Sequence, residues 1–273
     1  MSDFSLDKRL IRQSFANAAD SYDGMAALQR RVGRELIKQV SLIEPNILLD
    51  VGCGTGFFTE QLSHKFANAE LIALDIAEPM LRHARQRLCH KKGGWVCADA
   101  DSLPFVESCL EGVVSNLALQ WCQDLPSVLA DMQRILRPSG QLVFSTFGAS
   151  ALCELKSAWA LVDDAPHVND FCCQQDIEGI LQACGFENIK VNSHIYHTQY
   201  ASVLELMREL KGIGAHNVHQ ARHKQLTGKG KLQALMAAYP QDEAGGISAS
   251  FEIIYVQANV VAMEESSWRK VFL

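Results

Sequence analysis

Hydrophobic and polar positions change period several times along the chain, and each change predicts an element. Between residues 5 and 19, Leu6, Leu10, Ile11, Phe15 and Ala18 recur at helical spacing, and a break is expected at Asp20-Ser21-Tyr22-Asp23-Gly24. A second amphipathic helix is predicted from Met25 to Leu42, with Leu28, Val32, Leu36, Ile37 and Val40 on one face and Pro45-Asn46 closing it. From Ile47 the period alternates. Ile47–Val51, Glu70–Asp75, Gly94–Ala98, Gly112–Asn116 and Gln141–Phe147 read as strands; Phe57–Phe66, Pro79–Leu88 and Leu125–Leu136 read as helices. Arg137-Pro138-Ser139-Gly140 is the expected turn before the last of these strands. The βαβ rhythm predicts an α/β fold, a mostly parallel sheet with helices on both faces.

After Gly148 the rhythm changes. A helix over Asp176–Cys184 stopped by Gly185, a strand over Asn188–His197 and a last strand over Ser250–Met263 are expected. Helices at Ser202–Lys211 and Lys231–Tyr239 lie between the two strands. The chain therefore divides into an N-terminal helical cap (1–44), a core (45–200), a helical insertion acting as a substrate lid (201–248) and a last strand with its tail (249–273). An insertion at that place hangs over the strand ends where open α/β sheets bind ligands.

Composition narrows the class only a little. The 273 residues are 48% hydrophobic and 21% charged, as in ordinary globular proteins. No run approaches the roughly 20 apolar residues that span a bilayer, so no membrane partner is expected. Met1 to Leu10 lacks the apolar core of a signal peptide, and a cytoplasmic protein is the expectation. The net charge of -6 argues against bulk nucleic-acid binding. The nine cysteines include no Cys-x-x-Cys pair and read as reduced thiols.

The stretch Asp50-Val51-Gly52-Cys53-Gly54-Thr55-Gly56 follows the first apolar run and opens the first βαβ helix. Alternating glycines there let backbone approach a ligand, and the helix behind them presents N–H groups to it. The dinucleotide fingerprint is a poor match, because the third glycine comes one residue early and Phe57 takes its place. An NAD-dependent oxidoreductase is disfavoured on that spacing. Asp50-x-Gly52-x-Gly54-x-Gly56 instead resembles the first motif of class I S-adenosylmethionine-dependent methyltransferases, whose Rossmann-like fold has a seven-stranded sheet. That resemblance implies S-adenosylmethionine as cofactor. It also implies ribose binding by Asp75, adenine packing on Met80, adenine-edge contacts from Asp99 and Ala100, and methionine contacts near Asn116 and Leu117.

A narrower resemblance runs along nearly the whole chain. Phe15-Ala16-x-Ala18-Ala19-x-x-Tyr22-Asp23 with Leu28-Gln29-Arg30, Ser115-Asn116-Leu117-Ala118-Leu119-Gln120-Trp121, and Leu210-Lys211-Gly212-Ile213-Gly214-Ala215 are similar to the BioC family. Those enzymes methylate the free carboxylate of a malonyl thioester in biotin synthesis, on acyl carrier protein or coenzyme A. The resemblance implies an acidic acyl carrier protein as partner and a lid in which Tyr22 lies near the reacting methyl and Gln29 near the methionine end. Trp121 is expected in the wall of the acyl pocket. Between Arg208 and Lys231 six basic residues face one acidic residue. Arg208, Lys211 and Arg222 are the candidates to orient the substrate carboxylate, and the remaining cations would steer the acidic carrier. His219 is a candidate hydrogen-bond donor to substrate. His216, His219 and His223 lack a carboxylate or cysteine at useful spacing, so no metal is expected. A quinone-ring methyltransferase or a catalytically silent cofactor-binding protein are the competing readings. The basic insertion argues against the first, and the intact glycines argue against lost binding.

Overall fold

The computed structural model describes residues 7–89, 93–215, 228–243 and 245–262. Its strands are β1 (Ile47–Val51), β2 (Glu70–Asp75), β3 (Gly93–Cys97), β4 (Leu110–Asn116), β5 (Leu136–Phe147), β6 (Phe186–Tyr200) and β7 (Ile247–Val260). They form one seven-stranded sheet in the order β3-β2-β1-β4-β5-β7-β6. All pairs from β3 to β5 are parallel, and β7 runs antiparallel to both β5 and β6. From β1 the chain moves outward to β2 and β3, then returns to place β4 on the other side of β1. That reversal opens a crevice at the carboxyl ends of β1 and β4, where such sheets bind ligands.

The helices are α1 (Lys8–Met25), α2 (Ala27–Gln39), α3 (Phe57–Lys65), α4 (Glu78–Arg87), α5 (Leu125–Ile135), α6 (Cys153–Ala160), α7 (Gln174–Ala183), α8 (Val203–Gly212) and α9 (Lys229–Ala238). Successive strand residues point to opposite faces, so the sheet feeds two cores. Leu48, Val114 and Val143 pack with Leu36 of α2, Leu62 of α3 and Trp159 of α6. Leu49, Val113 and Phe144 pack with Leu129 of α5 and Leu181 of α7.

Two local expectations are corrected, and one helix is added. Helix α1 does not break at residues 20–24 but runs to Met25. Ser21 Oγ bonds back to the carbonyl of Ala18 (3.2 Å) and across to that of Gly212 (3.3 Å), so its polar side chain is satisfied inside the helix. Arg137–Gly140 is not a turn ahead of β5 but a bulge within it: Leu136 pairs with Leu110, and the next pair is Gln141 with Gly112. One residue of β4 thus faces four of β5, with Ser139 at φ 63° and Arg137 held to Glu111 at 2.8 Å. Helix α6, which the hydrophobic period did not single out, covers the sheet with Leu155 and Trp159.

The insertion packs on the cap through glycines. A Cβ on Gly212 would fall 1.8 Å from Met25 Sδ, and one on Gly214 3.0 Å from Phe15 Cδ1. Ser14 Oγ donates to the Gly214 carbonyl at 2.9 Å. The Gly-Ile-Gly sequence is therefore a seat for α1, not a ligand loop.

Candidate functional site

β1 ends at Val51 against β2, and the backbone then folds back on itself. The amides of Gly52 and Cys53 both donate to the Leu74 carbonyl, at 2.7 and 3.0 Å. Gly52 takes φ +73°, and a Cβ there would lie 2.2 Å from that of Ala118, so both conformation and space demand glycine. Gly54, at φ +54°, has room beside it and faces the Tyr22 ring. Its amide donates to Asp75 Oδ2 at 2.9 Å, while Asp75 Oδ1 accepts from the Ala77 amide at 2.8 Å. Burial raises the Asp75 carboxyl to about 6, against the pull of those backbone N–H groups. Each carboxylate oxygen keeps a lone pair for a further donor.

Asp50 lies beneath this loop. It accepts from Thr59 Oγ1 at 2.6 Å and so fixes the first turn of α3. Burial lifts it to about 7, Thr59 opposes that rise and the Asp75 charge adds to it. Its Oδ1 is buried without a hydrogen-bond partner among the described residues.

A cleft with roughly 640 Å³ of empty space, its mouth included, opens above the strand ends. That is a size suited to a small-molecule ligand. Gly52, Gly54, Asp75 and Asn116 form its floor, and Met80 with Leu117 adds apolar wall. Leu117 sits in the left-handed region at φ 51°, its amide held by the carbonyl and hydroxyl of Ser145. Asn116 spends its side chain on support: Oδ1 accepts from Ser145 Oγ at 2.9 Å, and Nδ2 donates to the Gln29 carbonyl at 3.0 Å.

Helix α1 is the roof. Lys8, Ile11, Phe15 and Tyr22 line the cleft from one stripe of the helix. Lys8 and Tyr22 stand fourteen positions apart, about 21 Å along the helix axis. At one end Lys8 Nζ contacts Asp99 Oδ1 (2.9 Å) and Asp101 Oδ2 (2.8 Å), and it donates to the Trp121 carbonyl at 3.2 Å. Burial opposes the lysine charge, but the bonds to Asp101 and Asp99 reverse the balance and its pKa rises. At the other end Asp23 accepts from Thr55 Oγ1 of the glycine loop at 2.6 Å and pairs with Arg87 of α4. Between them Phe15 meets Trp121 edge-on, ring centroids 5.5 Å apart. The Tyr22 hydroxyl is pushed upward by burial, then by Asp75 and Asp23, and is a neutral hydrogen-bond donor at pH 7.

Ten residues singled out from the sequence thus meet in one cleft: Tyr22, Gly52, Gly54, Asp75, Met80, Asp99, Ala100, Asn116, Leu117 and Trp121. Four do not line it. Asp50 supports the loop from below, and Gln29 is buried at the root of α2 with its Oε1 unbonded among the described residues. Arg208 and Lys211 are exposed on α8, because Val203 and Leu206 take the buried face and positions 208 and 211 fall opposite. Neither makes an ion pair among the described residues. His219 and Arg222, with His216 and His223, lie outside the described residues. Lys8 and Ile11 line the cleft as well, with no local signal that marks them. The 8/11/15/22 stripe was readable as an apolar-sided helix face, but nothing local says what it covers.

Among the described residues no group of three or more His, Cys, Asp and Glu side chains is arranged to hold a metal ion, and no helix is long and apolar enough to cross a membrane.

Residues 49–144, which hold the glycine loop and most of the cleft floor, match the family model described as a methyltransferase domain. By fold the chain is similar to the Haemonchus contortus phosphoethanolamine N-methyltransferase 2 solved with S-adenosyl-L-methionine. The TM-score is 0.54 at 16% identity, over 90% of this chain and 57% of that one. By sequence it is 39% identical to the bifunctional biotin biosynthesis protein BioHC of Cellvibrio japonicus, over 92% of this chain and 50% of that longer protein. It is 41% identical to the malonyl-[acyl-carrier protein] O-methyltransferase of Methylococcus capsulatus, over 91% of this chain and 92% of that enzyme. With a similarity that spans cap, core and insertion alike, the chain belongs to the malonyl-[acyl-carrier protein] O-methyltransferase family, BioC.

Proposed function

We propose that the chain methylates the free carboxylate of a malonyl thioester on acyl carrier protein, yielding the methyl ester used early in pimeloyl and biotin synthesis. The observation that carries this is the cleft itself. Cofactor-type residues converge at the β1/β4 switch point of a chain whose relatives bear that activity in their names over nearly their full length. Bound there, S-adenosylmethionine supplies a sulfonium-activated methyl group. The acceptor is a carboxylic acid with a pKa near about 4, already ionised at neutral pH, so no general base is needed. The work left to the protein is alignment and exclusion of water.

The residues divide that work. Asp75 accepts the two ribose hydroxyls, each charge-assisted bond contributing about 1.5–3 kcal/mol. Gly52 and Gly54 let the backbone approach the cofactor, and Asp50 holds their loop in place. Met80 packs on the adenine, and Asp99 with Ala100 reads its edge. Asn116, Leu117 and Gln29 shape the methionine end. Tyr22, a neutral donor on the roof, orients the acceptor beside the methyl group. Trp121 contacts Phe15 at the Asp99 end, a position that fits a wall of the cofactor site better than an acyl pocket. His219 and Arg222 receive the acceptor carboxylate. Arg208 and Lys211, exposed and without ion-pair partners among the described residues, fit the acidic surface of the carrier protein.

Methyl transfer from radiolabelled S-adenosylmethionine to malonyl-acyl carrier protein tests the reading, with malonyl-coenzyme A and acetyl-acyl carrier protein alongside. Label is expected on the malonyl forms and not on the acetyl form, and mild base should release it as from a methyl ester. Cofactor binding without label on any thioester would refute the acceptor and leave the cofactor site standing.

A further inference from the structure

Asp99 uses its two oxygens unequally. Oδ1 accepts from Lys8 Nζ at 2.9 Å and from the Asp101 amide at 3.1 Å. Oδ2 makes no such bond among the described residues, and the side chain lines the cleft. Lys8 is itself held between Asp99, Asp101 and the Trp121 carbonyl, three acceptors from two different loops. It belongs to the roof, so this arrangement exists only while α1 lies across the cleft.

We infer that Lys8 is a positioning residue for cofactor recognition: it locks Asp99 Oδ1 and thereby presents Oδ2 to an exocyclic amine donor in the cleft. The inference rests on the reading of Asp99 as the adenine-edge contact. A carboxylate free to rotate would be shared between water and several orientations, and it would discriminate poorly among purines. One whose first oxygen is fixed by two donors offers the second in a single direction. A carbonyl in place of the amine would then meet a lone pair with another lone pair, which is repulsive as well as unbonded. Lys8 also couples that reading to closure. Base recognition is complete only when the roof is down, so ligands with the wrong base fail to hold it there.

Calorimetric affinities for S-adenosylhomocysteine and S-inosylhomocysteine separate the possibilities without any turnover. In the inosyl compound a carbonyl replaces the exocyclic amine. The unsubstituted protein and K8R should favour the adenosyl ligand by roughly 10- to 100-fold, the range of one charge-assisted hydrogen bond. K8M should cut that preference to about threefold or less. Equal weakening of both ligands by K8M, or no change in their ratio, would make Lys8 a merely structural residue and overturn the inference. D99A, which removes the acceptor altogether, distinguishes the two levels. If the preference survives D99A undiminished, the reading of Asp99 fails and the role of Lys8 falls with it. If D99A abolishes the preference while K8M keeps it, only the role of Lys8 is lost. Should K8M not fold, K8Q gives the same readout.

Discussion

Floor and roof of the cleft are built on different principles. The floor is backbone: Gly52 and Cys53 bond the Leu74 carbonyl, Gly54 bonds Asp75, and all sit at the ends of neighbouring parallel strands. Its geometry is inherited from the sheet. The roof is a helix tied by side chains, with Lys8 at one end, Asp23 at the other, and Ser14 and Ser21 on the insertion. Each of those ties is a few kcal/mol at most, whereas the strands are joined by continuous ladders of backbone pairing. One half of the cleft is therefore fixed by the sheet, and the other is attached to it through individual side chains.

G52A strikes the floor and carries the largest expected effect. The new Cβ would meet Ala118 in a left-handed conformation, at about 1–2 kcal/mol for the backbone and about 1–3 kcal/mol for overpacking. Urea denaturation should show a loss of about 2–5 kcal/mol, and calorimetry no detectable binding of S-adenosylhomocysteine. A stable G52A protein that still binds would show that the floor is not rigid.

Next comes the pH dependence of the empty protein. Asp50 rises to about 7 and Asp75 to about 6 on folding, both above the ordinary aspartate value. A raised carboxyl adds stability that is complete below the unfolded pKa and vanishes as pH climbs through the folded one. Stability should therefore increase on acidification from pH 8 to pH 5, by an amount on the order of 2–3 kcal/mol from Asp50. D50N should flatten that profile. An unchanged slope in D50N would contradict the buried, ionisable floor.

Cofactor binding reverses the sign. With Asp75 as the proposed ribose acceptor, the ionised carboxylate is the binding form, so affinity for S-adenosylhomocysteine should weaken as pH falls through about 6. Between pH 7.5 and pH 5 the expected loss is about tenfold. D75N should bind weakly with no such dependence.

The mildest test strikes the roof. In G214A the Cβ crowds Phe15 at 3.0 Å in a left-handed conformation, and Phe15 is a cleft residue. A stability loss of about 1–2 kcal/mol is expected, with a several-fold rise in the KM for S-adenosylmethionine. Thermal melts and steady-state kinetics together would show it. A loss as large as that of G52A would mean roof and floor unfold as one unit.

Local pattern and tertiary contact left separate marks on the chain. Ile47–Val51 and Glu70–Asp75 were readable to the residue, because each apolar run ends at a charge or glycine that cannot extend it. Asp75, Asp99 and Asn116 fall at or just after strand ends, which a parallel sheet brings to one side, while their roles and that of Met80 are what the family resemblance implies. Continuation of α1 through Asp20–Gly24 was not readable. Those residues disfavour helix by themselves, and only the partners of Ser21 and the buried stripe around Ala18 and Ala19 hold them in one. The bulge at Arg137–Gly140 looked like a turn for the same reason: its pairing with β4 lies outside any local window.

The α/β class and the glycine loop are legible in local pattern, because both depend on short-range spacing, whereas the cofactor type and the set of residues that line the cleft are legible only through the family resemblance of their motifs. Long-range packing places α1 over the cleft, keeps Arg208 and Lys211 outside it, and brings Lys8 to Asp99 and the Trp121 carbonyl. Those contacts join residues 91 and 113 positions apart. No periodicity encodes such a pairing, and what settles it is which faces remain to be buried once the sheet has formed.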